Sequence, residues 1–198
     1  MPSEQRESAA REAGGGGGLG EPGGSPGSID RVELVDHDPS WRELFERERL
    51  RLAPIFDGAA VAIEHVGSTA VSDLCAKPIV DVLIGVGDLE LTDEQLAAMA
   101  ELGYEFKGEY GLPGRLFFVK EPLTHHVHVV EHDGYLWERQ LVFRDSLRTD
   151  ADERQRYDEL KRRLAAEGHP RSVYAELKTP FIREVEARGR ARGIRPNV

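Results

Sequence analysis

The sequence has little cysteine and no long apolar run, and each shortage excludes a class of protein. Cys75 is the single cysteine among 198 residues, so neither an intrachain disulfide nor a cysteine-based metal site can form. This usage is typical of a reducing cytoplasm, which is the location we predict. No apolar stretch approaches the roughly 20 residues that cross a bilayer. The N-terminal segment also lacks the apolar region of a secretory signal, so we expect no membrane partner.

The chain also has fewer basic than acidic side chains. The chain carries 36 acidic and 26 basic side chains, which gives a formal net charge of −10. A general nucleic-acid binder needs a basic surface for phosphate contacts, so we do not expect nucleic acid as a partner. The overall charge is still compatible with a local basic pocket that binds a small phosphorylated molecule.

Composition divides the chain into a tail and one domain. Residues 1–28 are mostly Gly, Ser, Pro and charged side chains, and they cannot bury enough apolar surface to offset chain entropy. We therefore predict a disordered tail over 1–28 and a single folded domain over 29–198.

The order of apolar patterns predicts an α+β fold. An extended lead-in over 29–35 precedes a helix capped by Asp38, two strands, and a second helix whose Thr92 and Gln95 form a capping box. Three strands and three helices follow, and Asp150 is the expected N-cap of the middle helix of these three. This order indicates a mixed sheet flanked by helices, with additional helices at the C-terminal end.

Asp81 is the one charged residue in an otherwise apolar strand, PIVDVLIGV. An ionised carboxylate inside such a strand is unfavourable unless it is paired or binds a metal. A salt bridge to Lys77 or Arg115 is one explanation. The other comes from Gly67 and Ser68, which end the preceding strand, because free backbone N–H groups and a hydroxyl in such a turn can hold phosphate oxygens.

Two histidines offer further ligands. His126 and His128 are two residues apart in a strand, so their side chains point to the same face. Two imidazoles on one face could bind a metal, or donate to phosphate when protonated. His125 and Glu131 nearby favour this functional interpretation over one solvated and one core histidine. Lys77 and Arg115 are candidate phosphate contacts.

The C-terminal helices contribute charges and aromatic rings. Arg144, Asp145 and Arg148 lie close together on one helix, and their spacing predicts a local ion-pair network. A substrate clamp formed by Arg144 or Arg148 is the alternative. Tyr157 and Tyr174 occur at the spacing of packing residues. Lys178 could serve either packing or binding.

Several segments together resemble one family. EHVGSTAV, AKPIVDVLIGV, HVHVV, WERQLVFRDSLR, YDELKRRLA and YAELKTPFIREV are similar to the GrpB family of bacterial proteins, over roughly residues 30–190. GrpB proteins in turn resemble the nucleotidyltransferase superfamily, which has the fold of DNA polymerase beta. The family also occurs fused to dephospho-CoA kinase.

The resemblance implies roles for particular residues. The superfamily has a Gly-Ser turn that binds phosphate, two carboxylates spaced Asp-x-Asp on the next strand, and a third carboxylate on a later strand. Gly67 and Ser68 match the turn, and Asp81 matches the first carboxylate. Leu83 occupies the second position, and His126 and His128 lie where the third is expected.

Three functional alternatives follow from these departures. Asp81, His126 and His128 could hold one divalent metal, either Mg²⁺, Mn²⁺ or Zn²⁺, for nucleotidyl transfer to an acceptor, with Gly67, Ser68, Lys77 and Arg115 binding the phosphates. The pocket could instead bind a nucleotide or phosphorylated metabolite without chemistry. The domain could also be a relic that supports a protein partner.

Overall fold

The computed structural model describes residues 31–195. The predicted disordered tail lies outside the described residues. The helices and strands follow the predicted order, and their bounds are α1 Ser40–Leu52, β1 Ala60–Val66, β2 Val80–Val86, α2 Asp93–Glu101, β3 Tyr104–Phe106, β4 Arg115–Lys120, β5 His125–Glu131, α3 Tyr135–Thr149, α4 Ala151–Ala166 and α5 Arg171–Ala191.

The strands form one mixed sheet in the order β1-β2-β5-β4-β3. β2 and β5 are parallel, and the other neighbouring pairs are antiparallel. Three strands, β2, β5 and β4, therefore have a neighbour on both sides. Of these, β2 has a near-continuous apolar sequence, as expected for a strand that is covered on both faces. This arrangement confirms the α+β prediction.

The two faces of β2 are covered by different helices. Val82 and Ile84 point into a core that includes Trp41 of α1 and Met99 of α2. Leu83 points to the opposite face, where it packs against residues of α3. Asp81 shares the face of Leu83 but lies at the start of β2, where its side chain is 26% exposed. The carboxylate is only partly hydrated there, so partners inside the protein stabilise its charge.

The C-terminal helices pack against each other and against the segment that joins β1 to β2. Val71 and Leu74 of that segment are buried with Leu147, Tyr157 and Val185, which belong to α3, α4 and α5. The helices thereby stand over the sheet face that carries Asp81.

Most local predictions are confirmed. Thr92 and Gln95 form the capping box of α2, and the Asp150 side chain accepts a hydrogen bond from the Glu153 amide at the start of α4.

Two predictions differ. The N-cap of α1 is Pro39 and not Asp38, although the Asp38 carboxylate accepts a hydrogen bond from the Ser40 amide at 2.8 Å. The second difference concerns the lead-in, whose alternating pattern fits either a strand or an extended segment. Within the described part of that segment, Arg31 and Val35 form isolated bridges and no strand of the sheet, because this short segment crosses two different elements.

Candidate functional site

Asp81 and the two histidines meet at one point on the sheet. The parallel register of β2 and β5 places Asp81 opposite His126, with His128 two residues further along the same face. The Oδ1 atom of Asp81 lies 3.2 Å from Nδ1 of His126 and 3.3 Å from Nε2 of His128. These imidazoles are the partners of the half-buried carboxylate.

Burial and hydrogen bonding set the protonation of Asp81 and His128. Burial by itself would raise the pKa of Asp81, but hydrogen bonds from His126 and His128 outweigh it and hold the pKa well below its usual range. Burial lowers the pKa of His128, against the opposing attraction of Asp81. Near pH 7 the carboxylate is therefore ionised and the His128 imidazole is neutral, which are the states that bind metals.

The donor set fits a divalent metal ion. Ligand atoms about 2.1 Å from a shared metal lie about 3.0 Å apart at octahedral angles and about 3.4 Å apart at tetrahedral angles. The two nitrogen-to-oxygen distances fall within this interval, and all three ligand atoms lie within 4.8 Å of one another. Two imidazoles and one carboxylate suit Mn²⁺, Fe²⁺ or Zn²⁺ better than Mg²⁺, which prefers oxygen ligands.

Gly67 lies directly against Asp81. Its backbone has φ 70° and ψ −170°, a conformation that is essentially restricted to glycine. A Cβ atom added at this position would lie 2.3 Å from Oδ2 of Asp81. The turn therefore needs glycine for two reasons, its backbone angles and the close approach of the carboxylate.

Two arginines of α3 hold the ends of this turn. Arg144 donates through Nη1 to the carbonyl of His65, and Arg148 donates through Nε to the carbonyl of Ala70, each at 3.0 Å. Arg144 also pairs with Glu64 of β1 and with Asp145. The predicted local network is therefore only part of the arrangement, because the longer-range bonds tie α3 to β1 and to the turn.

The sequence-predicted residues line one cavity of about 350 Å³ between the sheet and helices α3 to α5. All seven candidates contribute to it: Gly67, Ser68, Lys77, Asp81, Arg115, His126 and His128. Arg115 lies with its guanidinium 4.6 Å from the centre of the Phe117 ring and donates to the carbonyl of Tyr110.

Two neighbours expected at the site lie elsewhere. His125 points to the opposite face of the sheet, where its environment includes Glu48 and Lys120. Glu131 is exposed and pairs with Val86 at the far end of the strand. Side chains alternate along a strand, so His125 could not share a face with His126.

The helical wall of the cavity was predicted only in part, because Lys178 alone among its charged residues was considered for binding. It includes Arg139 and Glu186, which form an ion pair at 3.1 Å, together with Lys161 and Lys178. Sequence reasoning treated the last two helices mainly as packing elements. The signal that could have found the two lysines is a repeated segment, YDELK at 157–161 and YAELK at 174–178.

A pH dependence of stability follows from His65, which lies at the base of the turn. Burial lowers its pKa to about 4, Arg148 and Arg144 reinforce the effect, and Asp81 opposes it. The unfolded chain takes up a proton near pH 6.5 that the native state excludes, so stability falls as the pH drops below that value. We expect the free energy of unfolding to fall by about 2 kcal/mol between pH 7 and pH 5 through this residue.

Urea unfolding at several pH values measures this dependence. The His65→Gln variant should show a flatter profile, because glutamine can still bond to Thr69, which lies 3.0 Å from the imidazole, but does not titrate in this range. A profile in His65→Gln as steep as that of the wild type would contradict the assignment.

None of the helices within residues 31–195 is both long enough and apolar enough to span a bilayer. The predicted cytoplasmic location stays a prediction.

Comparisons with known proteins agree with the resemblance in the motifs. The family profile described as GrpB protein matches residues 31–188. The UPF0157 protein YqkA of Bacillus subtilis is 39% identical over 160 residues, which cover 79% of this chain and 46% of that protein. This chain thus spans about half the length of that relative. A UPF0157 protein of Streptomyces coelicolor is 35% identical over 169 residues, which cover 85% of this chain and 89% of that protein.

A solved structure is also similar. The crystal structure of the conserved protein GrpB from Enterococcus faecalis has a TM-score of 0.71 and 37% sequence identity, and the match covers 79% of this chain and 96% of that one. The profile match extends over nearly all described residues, and both sequence and fold agree with it. The chain belongs to the GrpB family.

Proposed function

We propose that this protein binds a nucleotide or another phosphorylated small molecule together with one divalent metal, and that it transfers a nucleotidyl group to an acceptor. One observation carries the proposal: the Gly67–Ser68 turn and the triad of Asp81, His126 and His128 meet in a single cavity. The turn, Asp81 and the two histidines belong to segments that are distant in sequence, so only the folded chain brings them together.

The charge of the cavity supports an anionic ligand. Among the described residues, five basic side chains line it, from Lys77, Arg115, Arg139, Lys161 and Lys178. The acidic ones are Asp81 and Glu186. This excess of positive charge contrasts with the net charge of −10 for the whole chain, and a local excess of this kind attracts phosphate.

Each group has a role in the proposed reaction. Asp81, His126 and His128 would hold the metal, which when bound would neutralise charge on the phosphate oxygens. The Ser68 hydroxyl and the Gly67 turn would orient the phosphates, and Lys77 and Arg115 would stabilise developing negative charge. The similarity of the motif to the nucleotidyltransferase superfamily supports this reaction class.

A second candidate is a binding domain without chemistry. Leu83 is fully buried at the position where the superfamily has its second carboxylate, so the site offers a single acid for metal binding. A dephospho-CoA kinase of Mycobacterium bovis is 36% identical over 76 residues, which cover 37% of this chain and 19% of that protein. A coenzyme-like nucleotide is therefore a suitable probe of this alternative.

Turnover separates the two candidates. Purified protein with Mn²⁺, Zn²⁺ or Mg²⁺ and each common nucleoside triphosphate should release pyrophosphate, with Mn²⁺ or Zn²⁺ more effective than Mg²⁺ because of the two imidazoles. Absence of pyrophosphate in every combination, with ligand-induced thermal stabilisation retained, would establish the binding domain and exclude the transferase.

Ser68 provides a test of the phosphate turn. Ser68→Ala removes one hydroxyl donor, so we expect nucleotide affinity to fall about tenfold, the equivalent of one hydrogen bond to a charged group. Thermal-shift titration with a nucleoside triphosphate measures the change. Ser72→Ala, an exposed position four residues later, is the matched control. Equal affinities for both variants would remove Ser68 from the ligand site.

A further inference from the structure

The last two helices present the same short motif to the cavity. Tyr157 and Lys161 on α4, and Tyr174 and Lys178 on α5, are each four residues apart and therefore share a helix face. The Lys161 ammonium lies 4.9 Å from the centre of the Tyr157 ring, and the Lys178 ammonium lies 4.4 Å from the centre of the Tyr174 ring. All four residues line the cavity.

The cavity therefore has two chemically different walls. The sheet wall carries the metal-binding triad on β2 and β5, and the helical wall carries two ammonium groups held over aromatic rings. A tyrosine ring attracts a cation through its electron-rich face and leaves the charge of the cation unchanged, which is the situation of Lys161 over Tyr157. The phenol of Tyr157 stays neutral, because burial raises its pKa far above the ordinary value.

Lys161 is the more informative of the two lysines. Its residue is 1% exposed, and its ammonium donates to the backbone carbonyl of Cys75. The carboxylate whose charge acts on Lys161, that of Asp158, accepts hydrogen bonds from Arg162 at 2.6 Å and from the Cys75 amide at 2.7 Å. Within residues 31–195 Lys161 has no ion pair, and such a buried charge is unfavourable unless a ligand compensates it.

The remaining neighbours do not supply negative charge. Burial raises the pKa of the Cys75 thiol to about 11, so the thiol is protonated. Burial also lowers the pKa of Lys161 to about 8, a value at which the ammonium is still the major form at neutral pH. An anion bound in the cavity would solvate the Lys161 ammonium and balance its charge.

We propose that Lys161 and Lys178 form a metal-independent subsite for phosphate groups, which binds the part of a polyphosphate chain that is remote from the triad. This rests on the proposed binding of a phosphorylated molecule in the cavity. The substrate class it selects is a molecule with two or more linked phosphates, because the two ammonium groups stand on different helices and can each bind one phosphate of the same chain.

Calorimetric titration in EDTA isolates this subsite from the metal. Sodium tripolyphosphate, pyrophosphate and inorganic phosphate are titrated into the full chain without divalent metal. We expect tripolyphosphate to bind at least tenfold more tightly than inorganic phosphate. Lys161→Met and Lys178→Gln should each weaken tripolyphosphate binding at least tenfold. Lys107→Gln, which removes a lysine paired with Glu105 outside the cavity, should bind like the wild type.

A structural role for Lys161 would give a different result. If Lys161 serves to bind phosphate, Lys161→Met removes a buried charge without an ion pair, and the melting temperature should equal that of the wild type or be higher. If Lys161 is structural, the melting temperature should fall. If Lys161→Met does not fold, Lys178→Gln decides by itself. Wild-type affinity in both folded variants, or no tripolyphosphate binding in EDTA, would overturn the subsite. An equal affinity for inorganic phosphate and tripolyphosphate would overturn the selection for linked phosphates.

The two proposals fail in distinguishable ways. If the metal does not bind, or if no nucleotide turns over, the proposed transfer reaction is lost, while tripolyphosphate binding in EDTA still supports the subsite. If the triad binds metal but the lysine variants keep full affinity for tripolyphosphate, the subsite is wrong and the metal site stands.

Discussion

Asp81→Asn is expected to weaken binding of Mn²⁺ or Zn²⁺ to this protein by at least 100-fold. The substitution keeps the shape of the side chain but removes the one charged ligand of the triad, and loss even of an outer-shell partner typically reduces metal affinity 10- to 100-fold. Pyrophosphate release, which depends on the same metal in the proposed function, should fall with it. Competition with a chromogenic chelator measures the affinity directly.

The control for this variant is Asp150→Asn. The Asp150 side chain is 27% exposed, close to the 26% of Asp81, and it caps α4 outside the cavity. Asparagine is also a good N-cap, and the ion pair with Arg192 that it removes is partly exposed and therefore contributes little to stability. Metal affinity should be unchanged and the protein should still fold. Wild-type metal affinity in Asp81→Asn would show that the ion, if one binds, lies elsewhere.

Asp81→Asn should also leave the helical subsite intact. Tripolyphosphate titrated in EDTA is expected to bind this variant at least as tightly as the wild type, because a negative charge has been removed from the cavity. This result would show, within one variant, that metal binding at the sheet wall and phosphate binding at the helical wall depend on different residues.

Gly67→Ala is expected to lower the free energy of unfolding by about 4 kcal/mol. A residue other than glycine at φ 70°, ψ −170° is strained by about 1–3 kcal/mol. The new Cβ would also lie 2.3 Å from Oδ2 of Asp81, and such overpacking adds about 1–3 kcal/mol. Urea unfolding gives the total, and metal affinity should fall as well because the carboxylate must move.

Gly58→Ala separates the two contributions. Gly58 has a positive φ of 77°, but a Cβ there would have no neighbour within 4 Å. This variant should therefore show a smaller loss, of about 1 kcal/mol, from backbone strain in the left-handed region. If Gly67→Ala is no more destabilising than Gly58→Ala, the close contact between Gly67 and Asp81 has no energetic weight.

Alternation along strands made part of the site predictable. His126 and His128 were expected on one face because strand side chains repeat every two residues, and the structure places both against Asp81. The same rule shows why His125 had to face the opposite core. What alternation cannot give is the register between β2 and β5, which sets Asp81 opposite His126 and depends on packing between segments about 45 residues apart.

The helical half of the site was not predictable in the same way. Tyr157 and Tyr174 have the spacing of packing residues, and the sequence places Lys161 and Lys178 one turn further along. Helical periodicity tells which residues share a face, but it does not tell which neighbour that face meets. Arg144 is a similar case, since its partner Asp145 is adjacent in sequence whereas Glu64 is brought to it only by folding.

The sequence by itself determined the element order, the α+β class and the family, because these depend on local propensity, on periodicity and on motifs that lie within single segments. It also determined that Asp81 needs a partner. Only the tertiary structure decided that the partners are two imidazoles, that Gly67 must be small at that point, and that the C-terminal helices close the cavity with lysines. The physical reason is that burial, charge compensation and close contact are set by segments distant in sequence, and they become defined only when the chain has packed.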